Sequence, residues 1–169
     1  MPDERRLYAA VIGPHDADEK TAGMATEVGR GLAGHGFVVV TGGEFGAMEA
    51  AARGAHEAGG TVVGILPGTD RTRANRWSDV TVVSGIGHAR NLSVAASADV
   101  VVAVGGGWGT LSEIGLAGVL GRPVVTLAGW RLEHASSLPG GITHAATPQE
   151  AVERAVALAQ GVPRGQRVD

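Results

Sequence analysis

The sequence predicts a three-layer, Rossmann-like α/β domain on a mainly parallel sheet of six or seven strands. Three observations carry this. Short β-branched runs alternate with longer Ala-rich segments of helical period. One run, Val100-Val101-Val102-Ala103-Val104, is apolar without interruption, as expected of a strand buried on both faces. Glycines gather where the apolar runs end, at the junctions between strand and helix.

The elements follow in order. Leu7–Ile12 reads as the first strand and Ala17–Ala33 as the helix that returns from it. Phe37–Thr41 and the helix Gly46–Ala58 form the next unit, and Thr61–Leu66 and Val80–Ser84 are further strands. A helix at Gly87–Ala96 leads into the strand Asp99–Val104, and one at Thr110–Leu120 into Pro123–Leu127. Ile142–Ala145 is a last edge strand. The closing helix has a defined start: Thr147 caps it, Pro148 takes the first helical position and Glu150 lies three residues after the cap. In a doubly wound arrangement, the strands are expected to order around the first and the fourth.

Composition bounds what such a domain does. The chain has 169 residues, 44% hydrophobic and 18% charged, which suits one compact core. A single nucleotide-binding domain is expected over residues 1–160, with a flexible tail over 161–169 that carries Pro163 and Gly165. A formal charge of -3 speaks against nucleic acid and a membrane surface as partners. Cysteine is absent, which removes disulfides, thiolate metal sites and Cys nucleophiles and suits a reducing compartment. No apolar stretch approaches the roughly 18 residues of a spanning helix. Leu7–Ile12 is followed by Pro14, Asp16, Asp18 and Glu19 rather than by a small-residue cleavage site, so the chain reads as cytoplasmic.

The glycines locate the site. There are 28, more than twice the usual share of about 7%. In a parallel sheet all the strands' C-terminal ends share one edge, and ligands bind in the crevice outside it. The loops there contain Gly13, then Gly42-Gly43-Glu44-Phe45-Gly46, then Gly68, Gly85 and Gly87, then Gly105-Gly106-Gly107-Trp108-Gly109-Thr110, and lastly Gly129-Trp130-Arg131. Such loops let a ligand approach the backbone, and where they open a helix the free N–H groups and the dipole favour an anion. Gly13, Gly42, Gly43, Gly46, Gly106, Gly107, Gly109 and Thr110 are the candidate ligand-binding residues, with tight turns and helix–sheet packing as the alternative use for each glycine.

Absences narrow the ligand. No Gly-Lys-Ser/Thr is present, the one lysine being Lys20, so a Walker A loop is excluded. The dinucleotide fingerprint is missing after the first strand, and Thr110 stands where its last glycine would fall in the fifth-strand loop. Lys20 has no surrounding motif for a Schiff base, which argues against a pyridoxal phosphate decarboxylase. The six histidines lack ligand spacing, and no metal site is expected; His15, His56 and His88 read as local hydrogen-bonders.

Two residues offer chemistry. Arg90, in the fourth-strand loop, would pair bidentately with a phosphate, or simply serve as a solvated helix partner. Glu113 would activate water or stabilise positive charge building on a ribose ring, or else close the capping box Thr110-Leu111-Ser112-Glu113 on its own helix. Asp70, Arg71, Arg73, Asn75 and Arg76 form either a second anion clamp or a solvated loop, and the solvated loop is the simpler reading.

Thr41-Gly42-Gly43-Glu44-Phe45-Gly46-Ala47-Met48-Glu49-Ala50, Gly87-His88-Ala89-Arg90-Asn91 and Gly105 through Glu113 together resemble the Lonely guy superfamily of Rossmann-like proteins, many of which carry a "lysine decarboxylase" label. The likeness runs from the first strand to the last helix. The superfamily includes phosphoribohydrolases that cut cytokinin nucleoside 5'-monophosphates to base and ribose 5-phosphate, and molybdenum cofactor carrier proteins. The hydrolases read P-G-G-x-G-T-x-x-E; Gly106 through Glu113 fits from the second position, with Gly105 in place of proline. By resemblance Arg90 and Glu113 match the hydrolases' catalytic pair, although Asn91 stands where those enzymes carry lysine. Gly105, Asn91 and the run Ile65–Arg71 look nearer the carrier branch. The resemblance thus implies a phosphorylated nucleotide-like or pterin ligand and no cofactor required for chemistry, with the molybdenum cofactor as bound cargo. A phosphoribohydrolase is the alternative, and a sensor or scaffold without chemistry a third reading. It also implies a homodimer or larger even homo-oligomer.

Overall fold

A computed structural model describes residues 6–133 and 140–161. The tail expected at 161–169 lies outside the described residues from 162 onward. The elements run β1 (Tyr8–Ile12), α1 (Glu19–Gly34), β2 (Val38–Thr41), α2 (Ala47–Glu57), β3 (Val62–Leu66), β4 (Val80–Val83), α3 (Arg90–Ala96), β5 (Val100–Val104), α4 (Trp108–Val119), β6 (Val124–Leu127), β7 (Ile142–Ala145) and α5 (Pro148–Gly161). Single 3-10 turns at Arg71–Arg73 and Gly87–Ala89 lie between β3 and β4 and ahead of α3.

All seven strands are parallel, in the order β4-β3-β2-β1-β5-β6-β7. The expected ordering around the first and fourth strands is therefore corrected: β1 is flanked by β2 and β5. The reason is that β4 extends the first half of the sheet by one strand before the chain returns to the centre through α3. As an edge strand β4 is exposed on alternate residues, Val80 and Val82, unlike the fully buried β5. The switch point, where connections leave in opposite directions, falls between β1 and β5.

Alternate residues divide the core into two layers. Ala9, Val11, Val39, Val100, Val102, Val104 and Val125 pack against α1, α2 and α5. Ala10, Ile12, Val40, Val101, Ala103 and Val124 face α3 and α4. Two aspartates of like position fix the strand starts. Asp79 Oδ2, just before β4, accepts the Val62 N–H of β3 (2.7 Å), and Asp99 Oδ2, just before β5, accepts the Tyr8 N–H of β1 (2.9 Å). The closing helix begins as its sequence predicts. Glu150 N–H donates to Thr147 Oγ1 (3.1 Å), while the Glu150 carboxylate accepts the N–H of Ala146, one residue ahead of the expected cap (2.7 Å).

Helices α1 and α2 meet backbone to backbone. A Cβ on Gly54 would run into the carbonyl of Thr26, and one on Gly29 into the carbonyl of Ala51. Substitution of Gly54 by Val should therefore cost about 2 kcal/mol or more through forced separation of the helices. Gly23, also in α1, has open space at its Cβ position, and Gly23→Ala should add roughly 1 kcal/mol. Urea unfolding of the two variants should move the midpoint in opposite directions.

Candidate functional site

The site is built on a buried arginine. Arg90 is the first residue of α3 and 6% exposed. Its Nη1 donates to the carbonyls of Gly42 (2.7 Å) and Ile65 (3.1 Å), and its Nη2 pairs with Glu44 Oε2 (3.0 Å). The guanidinium thus ties the C-terminal ends of β2 and β3 together across 48 and 25 residues of sequence. A Cβ at position 42 would collide with that guanidinium, which is why the chain needs glycine there. Nε of Arg90 is buried with no hydrogen-bond partner. Nη1 is fully engaged with carbonyls, so the bidentate phosphate contact expected from sequence would fall to Nε and the remaining N–H of Nη2.

Glu113 lies one turn into α4, 8% exposed, on the side buried against the sheet. The expected capping box does not form. Helix α4 begins at Trp108 with Gly107 as its cap, so Thr110 and Glu113 are both interior to the helix. The Thr110 hydroxyl, which such a box would set on the Glu113 N–H, has no hydrogen-bond partner. Burial pushes the Glu113 carboxyl up from 4.5 to about 7, against the Arg90 charge, which pulls it down. A carboxyl poised there can hold or release a proton near neutrality.

The start of α4 completes the arrangement. The first-turn amides of Trp108, Gly109 and Thr110 are left without partners inside the helix, as at any helix start. Positions 107 and 109 have open space where a Cβ would stand, so packing within the chain does not require glycine at either. Thr110 is 2% exposed and its Oγ1 is buried without a partner. Trp130, from the loop after β6, lies against Gly106 and donates its indole N–H to Gly107 O (3.2 Å). Trp108, 80% exposed, tilts against Trp130 with ring centroids 5.7 Å apart.

The other predicted glycines serve packing. Gly13 is pressed against the Val104 carbonyl and Ala47, and Gly46, with φ +68°, against the His15 carbonyl. Gly43, φ +75°, lies over Gly64 and Leu66. All of them border the same edge as Arg90 and Glu113.

Asn75 departs from the expected solvated loop. Arg71, Thr72 and Arg73 are exposed, and Asp70 caps their 3-10 turn, but Asn75 is buried. Its N–H donates to Gly43 O (2.8 Å), its Nδ2 to Glu44 O (2.8 Å), and its Oδ1 accepts from Trp77 N–H (3.1 Å). It therefore fixes the backbone that presents Glu44. The one available signal was the amide type itself in an arginine-rich loop. Of the histidines, His56 pairs with Asp79 (3.1 Å) and His15 stacks edgewise on Phe45. Among the described residues no group of three or more His, Cys, Asp or Glu is placed to hold a metal ion, and no helix is long and apolar enough to cross a membrane.

With this geometry in place, the model of the SLOG cluster4 family matches residues 6–155. The chain belongs to that family. The molybdenum cofactor binding protein of Rippkaea orientalis superposes with a TM-score of 0.85 at 34% identity, over 92% of this chain and 98% of that one. The molybdenum cofactor carrier protein of Chlamydomonas reinhardtii gives 0.83 at 36% identity, over 92% and 99%. The cytokinin riboside 5'-monophosphate phosphoribohydrolase of Mycobacterium tuberculosis is 32% identical over 116 residues, 63% of this chain. The chain spans 62% of that hydrolase's length. The likeness to the Lonely guy superfamily, nearest its carrier branch, and the Rossmann-like fold are thereby established.

The raised Glu113 carboxyl has a consequence for stability. Its folded value lies above its unfolded one, so the folded protein binds more protons between pH 4.5 and about 7 and loses stability as pH rises through that window. The loss is on the order of 3 kcal/mol. Glu113→Gln stays neutral throughout. Denaturant midpoints measured at pH 5 and pH 7.5 should show the wild type falling relative to this variant.

Proposed function

We propose that the protein binds a small phosphorylated ligand in the crevice at the C-terminal edge of the sheet, as a carrier of the molybdenum cofactor type, with the cofactor as cargo. The observation that carries this reading is the start of α4. Amides without helical partners, open flanks at Gly107 and Gly109, and the buried unpartnered hydroxyl of Thr110 suit an anionic oxygen group. Likeness over nearly the full length of two molybdenum cofactor proteins supports the identity of the cargo. Gly106, Gly107, Gly109 and Thr110 hold the phosphate, Gly42, Gly43 and Gly46 shape the wall beside it, and Gly13 lets that wall close on β5.

A second reading, N-glycosidic hydrolysis of a nucleoside 5'-monophosphate, is favoured by one feature: Glu113 with its carboxyl near 7 beside the Arg90 cation. There Glu113 would assist departure of the base and Arg90 would hold the charge in place. Incubation with nucleoside 5'-monophosphates that releases free base, and ceases in Glu113→Gln, would select this reading.

The carrier reading is tested by Gly109→Asp. Open space at the Cβ and a helix start that favours acidic residues mean that the variant should fold and melt like the wild type. The added negative charge should weaken the binding of a nucleoside 5'-monophosphate at least about tenfold by calorimetry. Unchanged affinity would remove the phosphate from this position.

Self-association is also proposed. The α3–α4 layer leaves Leu92 and Val119 exposed, with open space beside Gly115 and Gly118. Light scattering should return an even multiple of the 17.0 kDa chain, and a monomer at micromolar concentration would contradict it.

A further inference from the structure

Glu44 has no role in the reading above, yet its surroundings are among the most constrained at the site. Its backbone carbonyl is held by Asn75 Nδ2 (2.8 Å), and the preceding carbonyl by Asn75 N–H (2.8 Å). Its Oε2 is fixed on Arg90 Nη2 (3.0 Å). The side chain keeps 22% of its surface exposed, and its other oxygen carries no hydrogen bond among the described residues. A carboxylate has about four lone-pair positions and accepts only. Most of that capacity therefore stays open, on a group whose carboxylate Arg90 holds and whose backbone Asn75 holds.

Position adds direction. Glu44 follows β2 and the phosphate-binding start of α4 follows β5, with β1 alone between those strands. Both groups therefore stand over the same sheet edge, two strand positions apart. One end of the crevice offers donors to an anion, and the other offers an acceptor to donors. A short ligand bearing a phosphate at one end and a hydrogen-bond donating ring edge at the other meets both.

We infer that Glu44 is a specificity residue that receives the adjacent ring N–H and exocyclic amino group of a 2-amino-4-oxo heterocycle, the edge shared by pterin and guanine. One N–H meets the unbonded oxygen of Glu44 and the other the remaining lone pair of Oε2, which Arg90 holds in place. Adenine presents a ring-nitrogen acceptor beside its amino group and would set a lone pair against Glu44. Hypoxanthine keeps the ring N–H and lacks the amino group. This inference rests on the proposed phosphate site and adds to it the residue that selects the ring.

Calorimetric titration of the wild-type protein with GMP, IMP, AMP and 6-hydroxymethylpterin monophosphate tests it. GMP and the pterin phosphate should bind at least about tenfold more tightly than AMP, with IMP between, as expected for hydrogen bonds to a charged group. Which of GMP and the pterin phosphate binds more tightly tells the guanine source from the pterin source. Glu44→Gln keeps an oxygen for Arg90 and turns an amide NH2 toward the ligand. It should lose the preference and favour AMP, whose ring nitrogen accepts that donor; a merely structural role for Glu44 would weaken all four equally. Equal wild-type affinities for the four would overturn the inference and leave the phosphate site standing. Failure of all four to bind would overturn both. Because the wild-type series alone discriminates, the test survives a Glu44→Gln variant that does not fold.

Discussion

The buried guanidinium of Arg90 is the contact on which the rest of this site depends. Parallel strands end in carbonyls that the sheet does not fully satisfy, and a glycine-rich edge has few side chains with which to cover them. Arg90 reaches in from the helix layer and takes two of those carbonyls, at Gly42 and Ile65, so that two loops are set relative to one another by a single planar group. A buried cation of this kind requires a counter-charge. Glu44 supplies it directly, and Glu113 lies close enough to feel it without forming a hydrogen bond among the described residues.

That division of labour explains why two carboxylates beside one cation behave differently. Glu44 is partly exposed and pairs with the guanidinium. Glu113 is buried, gains only the longer-range part of the attraction, and loses more to desolvation than Arg90 returns. Asymmetry between neighbouring acids is a common basis for giving them separate tasks. Here it arises from the packing of α4 against the sheet, one turn beyond a helix start that leaves its own amides open to the crevice.

Much of the fold was legible because its determinants are local. The β-branched runs mark the strands within a residue or two, and Thr147-Pro148-Gln149-Glu150 marks the start of α5. The strand order was not, since nothing local tells whether the fourth or the fifth strand returns beside β1. The beginning of α4 escaped for a related reason: Gly107-Trp108-Gly109 has the composition of a loop, and only packing of the following residues draws it into the helix. Arg90 and Glu113 stand out in the sequence because the segments that carry them follow strand ends on one sheet edge, and the structure brings the two charges near each other there. The pairing of Arg90 with Glu44 and the grip of Asn75 on the same loop span 46 and 31 residues of sequence, and pattern reading does not reach across such distances.

The paired aspartates at the strand starts carry an implication for how the molecule tolerates change. Asp79 and Asp99 each hold the first amide of a neighbouring strand, and so fix parallel register at the edge opposite the crevice. Register set at one end leaves the other end free of that duty, because strands of four or five residues are short enough to transmit alignment along their whole length. Crevice-side positions that packing leaves open, such as 107 and 109, can then vary without unthreading the sheet. A scaffold organised in this way is conservative at its base and permissive at its mouth, which is the polarity that lets one architecture serve relatives that hold a cargo and relatives that cut a bond.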